Sequence, residues 1–135
     1  MNKEDLQKFV NRILVKKGHA PVTKFAKEFS DGIVYEKFFN LLFDESLNCN
    51  LVKSELVEQR MLNWNRINSI ICFNCMQQSF YLVQHTMLQL AKGTNSEAIF
   101  RLLKVTINAH QKMFKSTNEF SDQLKDIAEK IETGK

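Results

Sequence analysis

Between Phe29 and Leu42 the chain reads Phe-Ser-Asp-Gly-Ile-Val-Tyr-Glu-Lys-Phe-Phe-Asn-Leu-Leu, and this stretch constrains the fold more than any other. Ser30 or Asp31 offers a side-chain oxygen to the orphan amides of a helix starting beside it, and Gly32 lets the first turn pass close to a neighbour. Val34, Phe38, Leu41 and Leu42 follow at helical steps, which makes them the expected buried set of a helix running to about Phe43. Upstream, Leu6, Phe9, Val10, Ile13 and Leu14 mark an amphipathic first helix, begun by Asn2 and Asp5 and ended by Gly18. Val22, Phe25 and Phe29 suggest about one further helical turn that plugs the core.

Four Gly and one Pro in 135 residues leave little material for β-turns or flexible linkers, so the expected fold class is all-α. This length suits one domain with a core that needs no disulfide or metal. Residues 44 to 58 are acidic and weakly periodic; they read as a loop and a short helix anchored by Leu51, Val52, Leu56 and Val57. From about Gln59 to Gln78 a long helix places Trp64, Ile67, Ile71 and Cys75 near one side, with Ile70 and Phe73 widening the stripe and Trp64 buried. Tyr81 to Leu90 reads as a shorter helix closed by Gly93. Thr94, Asn95 or Ser96 then caps a last main helix, in which Ile99, Leu102, Leu103, Thr106, Ile107 and Met113 face inward. Past Ser116 the spacing changes to Thr117, Phe120, Leu124, Ile127 and Ile131. Residues 116–135 are therefore expected to form a C-terminal amphipathic helix, either folded back on a domain of residues 1–115 or starting a coiled coil that makes a dimer.

Charge is unevenly distributed. Residues 1–27 hold seven Lys/Arg against two acids, residues 28–58 two against seven, and residues 101–115 four against none. Lys8, Arg12 and Lys16 stand at steps of four on the face of the first helix opposite its apolar stripe. Arg101, Lys104 and Lys112 lie on the outer side of the last main helix. Nucleic-acid binding gains no support, because the Phe residues sit at core spacing and no helix-turn-helix or zinc pattern frames the charges. Membrane insertion of the first helix would expose Leu6, Phe9 and Ile13, which the core needs.

Chemistry has no candidate. Cys72 and Cys75 form a CxxC without the second ligand pair of a closed zinc site, and Cys is a residue type that packs readily into cores. His19, His85 and His110 are far apart, and neither a nucleophile elbow nor a phosphate-cradling glycine loop is present. No catalytic residue, metal or cofactor is expected. Met1 is followed by polar residues and no apolar run approaches the length of a membrane span, so a cytoplasmic domain is expected.

Lys8-Phe9-Val10-Asn11, Phe25 to Leu42, Asn68 to Met76 and Gly93 to Ile107 together resemble, in order, the first helix, central segment, third helix and last helix of the calponin homology domain. Phe9 and Lys104 stand where many members carry tryptophan, so the chain looks like a divergent member, closest in appearance to the parvin branch. The resemblance implies four main helices with short connecting helices. It also implies a non-enzymatic, cytoskeleton-associated module that binds F-actin or an actin-associated adaptor, with Lys8, Arg12, Lys16, Arg101, Lys104 and Lys112 as the contacts. Two alternatives stay open: an adaptor that holds a leucine-rich helix in an apolar groove beside the last main helix, and a microtubule-binding module.

Overall fold

The structure is a computed structural model that describes residues 2–75 and 82–113. Helix α1 (Lys3–Lys16) begins where Asn2 Oδ1 accepts the Asp5 amide at 2.8 Å, with Glu4 and Asp5 in its positive first turn and Lys16 in its last. Leu6, Val10 and Leu14 are fully buried, and Phe9 and Ile13 flank them at the edge of the core. Gly18, at φ +87°, turns the chain away, and the amides of Gly18 and His19 close on Val15 and Leu14 carbonyls.

The short α2 (Phe25–Glu28) is held open at its start by the Glu28 carboxylate, which accepts the Thr23 and Lys24 amides. Its Phe25 stacks on Phe29 and on Phe100 of the last helix. Helix α3 (Ile33–Phe43) starts from Gly32 at φ +82°. A Cβ there would collide with Ile67 Cδ1 and lie 3.7 Å from Trp64, so the glycine supplies both the left-handed turn and the close approach. Asp31 Oδ1 accepts the Ile33 amide, whereas the Ser30 hydroxyl donates back to Lys27; of the two proposed caps, Asp31 serves. The fully buried residues of α3 are Tyr35, Phe38 and Phe39, while Val34, Leu41 and Leu42 are only half-buried. Phe38 is thus buried as expected and Val34, Leu41 and Leu42 pack at the edge of the core, but the centre of the buried face lies nearer Tyr35 and Phe39, because the apolar residues of this helix cover more than half of its circumference.

Residues 44–56 form no helix, contrary to the short helix expected there. Of the expected anchors Leu51 packs against the core, whereas Val52, Leu56 and Val57 are exposed; Cys49 is buried and Leu47 half-buried beside it. Helix α4 runs over Val57–Ile67 and continues as a π-helical stretch, Asn68–Cys75, so the single long helix expected from Gln59 changes its hydrogen-bond pattern after Ile67. Trp64 is fully buried and its Nε1 donates to Ser30 O at 2.8 Å. Helix α5 (Gln84–Lys92) ends at Gly93, φ +68°. Helix α6 (96–113) begins where Asn95 Oδ1 accepts the Glu97 amide. Ile99, Leu102, Leu103, Thr106 and Ile107 of α6 are buried as expected and Ala98 and Phe100 join them; Met113, expected inside, is half exposed.

Four asparagines tie the connections to the helices in the same way. The Asn11 amide takes the N–H of Val22 and donates to its carbonyl, and Asn40 does so with Leu47, Asn63 with Val52, and Asn68 with Leu82. Each side chain therefore satisfies both polar groups of a residue that no ladder or helix could reach. In the core, Tyr35 OH lies 2.8 Å from Thr106 Oγ1, which itself donates to Leu102 O, so the phenol is the donor. Burial raises the Tyr35 pKa well above its ordinary value. The seam Thr117, Phe120, Leu124, Ile127, Ile131 and the side chains of Phe73, Cys75 and Tyr81 lie outside the described residues.

Candidate functional site

All six cations singled out on the two helices are exposed. On α1 the buried triad Leu6, Val10, Leu14 fixes the rotation of the helix, and Lys8 and Arg12 consequently stand on the opposite side. Lys8 and Arg12 border one shallow groove together with Glu4, Gln7, Asn11 and Val15. Lys16 follows one turn later, near the negative end of the helix dipole.

Arg101 and Lys104 border a different groove, with Lys3, Leu6, Glu97 and Phe100. Lys112 is exposed on α6 eight residues beyond Lys104, which on a helix is about 12 Å. Arg101 and Lys104 thus meet the amino-terminal turn of α1 through Lys3, a residue not among the six. Its Nζ sits 5.1 Å from the centre of the Phe100 ring. The sequence carries a signal for this: Lys3 precedes Leu6 by three residues and Val10 by seven, so it extends the buried stripe, and its stem crosses the edge of the core before the ammonium reaches water.

Among the described residues the recorded ion pair is Arg60–Glu55, at 3.2 Å, and it includes none of the six cations. Arg60 is largely buried and also donates to the carbonyls of Ser54 and Ala91, so it fastens α4 to the loop before it and to the end of α5. It has a structural task, and among the described residues no ion pair neutralises the cations on the outer faces of α1 and α6.

Cys49 and Cys72 belong to the hydrophobic core, and among the described residues no group of three or more His, Cys, Asp or Glu is gathered as a metal site. His19 Nδ1 lies 2.6 Å from Ala20 O, and His85 is exposed. His110 meets the Phe43 ring edge-on at 5.0 Å, and burial lowers its pKa. No helix among the described residues is long and apolar enough to cross a membrane.

Neither the curated proteins nor the solved structures yield a match to this chain. The family model of the calponin homology (CH) domain matches residues 1–112, which takes in every described helix up to the last turn of α6. CH domains are non-catalytic binding modules, generally of the cytoskeleton, which agrees with exposed cations on a rigid helical frame. On the strength of this match, extending over most of its length, the chain belongs to the calponin homology domain family.

Proposed function

We propose that this domain binds the acidic surface of a filament, F-actin or an adaptor associated with it, through the outer faces of α1 and α6. The observation that carries this reading is that Lys8, Arg12, Lys16, Arg101, Lys104 and Lys112 are exposed and outside the recorded ion pair, although such charges repel one another and the core does not require them. A single domain of this size covers a small interface, so its affinity is weak and falls with salt, and a second domain or a dimer raises it by avidity. The cell compartment that follows is the cytoplasm, on the cytoskeleton.

The parvin-like alternative requires an open apolar floor beside α6. In the groove there, Leu6 is fully buried and Phe100 only 7 % exposed, and Lys3, Glu97, Arg101 and Lys104 make the rest of its lining. That groove is a charged one, which favours the filament reading over capture of a leucine-rich helix. Co-sedimentation with F-actin and with microtubules at low and high salt tests the proposal. Pelleting with actin that declines with salt supports it; pelleting with microtubules alone transfers the same surface to tubulin, and pelleting with neither overturns direct filament binding and leaves the adaptor as the partner.

A further inference from the structure

Three hollows on the described surface, of about 270, 390 and 520 Å³, share walls. The first is the Arg101–Lys104 groove, and its Lys3 and Phe100 also line the second, which continues to Lys24 and Lys27. Lys24 and Lys27 in turn line the third, which extends to Lys37 and Lys53. Neighbouring hollows have lining residues in common and so lie side by side as a line of depressions, here called the trough. It leads from the outer side of α6, past the first turn of α1 and over α2, to the loop in front of α4.

Positive charge predominates along this trough, because its six lysines and Arg101 outnumber its four carboxylates, which keep their charge when a backbone amide donates to them. Its lysines and Arg101 are exposed, whereas three of its four carboxylates are already engaged. Glu28 accepts two backbone amides, Asp31 caps α3, and Glu55 pairs with Arg60; Glu97 stands at one end. An anionic ligand would meet ammonium groups that no ion pair holds among the described residues, Lys3 lying over the Phe100 ring, and a hollow track focuses their field.

We infer that the trough is a docking surface for an extended, Glu/Asp-rich peptide segment of a partner protein. Single-stranded nucleic acid fits less well, because the two rings in the trough, Phe25 and Phe100, are 4 % and 7 % exposed and offer no face for base stacking. A lipid surface is met by a convex or flat face, and these cations line a concave one. The inference does not rest on the filament proposal: the two surfaces share Arg101 and Lys104, but Lys24, Lys27 and Lys53 belong to the trough alone.

The test uses the full chain and a fluorescein-labelled peptide of about ten residues, rich in Glu, as an extended ligand of this kind. Its Gln counterpart, an oligothymidine of the same length and phosphatidylserine-containing vesicles are the comparisons. The Glu peptide should bind in a salt-dependent manner, and in wild type it should move the amide resonances of residues 24–28, 53–55 and 97–104. The combined Lys24→Glu, Lys27→Glu, Lys53→Glu variant should lose about tenfold or more in affinity with its thermal midpoint retained. Lys8→Glu with Arg12→Glu should leave peptide binding intact, which separates this surface from the filament site. The inference is overturned by undiminished binding in the triple variant, by resonance changes confined to other regions, or by tighter binding of the oligonucleotide or the vesicles than of the Glu peptide. Should the triple variant unfold, the wild-type resonance map alone decides.

Discussion

Trp64 joins two parts of the molecule in one side chain: its ring fills the core against Tyr35, and its indole N–H satisfies the Ser30 carbonyl just before the glycine turn. Trp64→Ala should cost about 3–5 kcal/mol, since the cavity and the orphaned carbonyl add; chemical denaturation measures it, and blue-shifted emission from the wild-type indole checks its burial. Trp64 was legible from the sequence because a lone tryptophan on a helical apolar stripe has few other places to go. His110 was not, since nothing local says that its imidazole meets Phe43 from a helix remote in sequence. Its pKa is lowered in the folded state, so the unfolded chain binds a proton more readily. The His110 contribution is accordingly complete above the ordinary imidazole range and shrinks as pH falls through it. His110→Gln should lessen the drop in thermal midpoint between about pH 7.5 and pH 5.5, a window that spans the free imidazole value.

The helices with a single apolar stripe, α1 and α6, were legible nearly residue by residue, because Leu6, Val10 and Leu14, or Leu102, Leu103 and Ile107, allow only one rotation. Helix α3 was read partly out of phase for the opposite reason. Ile33, Val34, Tyr35, Phe38, Phe39, Leu41, Leu42 and Phe43 cover more than half of its circumference, and only the neighbours it meets choose Tyr35 and Phe39 over Val34 and Leu41. In the loop of residues 44–56 apolar patterning found Leu51 but little else, since the loop is fastened mainly by polar side chains: Asn40 to Leu47, Glu36 to Cys49, Asn63 to Val52. Asn63 is fully buried, holds Val52 and also donates to Asp31 O. Asn63→Ala should therefore cost about 2–4 kcal/mol, by leaving several buried backbone groups without partners. Urea denaturation would show the loss, and a change below about 0.5 kcal/mol would mean that water replaces the amide.

Charge segregation was legible as counts along the sequence, and steps of four placed Lys8, Arg12 and Lys16 on one face without any coordinates. Which cations share a groove was not, because Lys3 joins Arg101 and Lys104 only through the packing of α1 against α6. Reversing Lys8 and Arg12 to Glu should reduce filament co-sedimentation several-fold while shifting the thermal midpoint little, as exposed charges contribute about 0–1 kcal/mol to folding but steer and hold an acidic partner. Unaltered pelleting by that variant would argue against the α1 face. The asparagine ties have a bearing on kinetics as well. They join residues only 7 to 14 positions apart, whereas the Trp64–Ser30 and Tyr35–Thr106 bonds span 34 and 71. Short closures cost little chain entropy, so they can form before the distant pairs and narrow the search for them. In stopped-flow experiments Asn40→Ala should then slow refolding, while Tyr35→Phe should mainly hasten unfolding. The connections of this domain would in that case be set before its core is sealed.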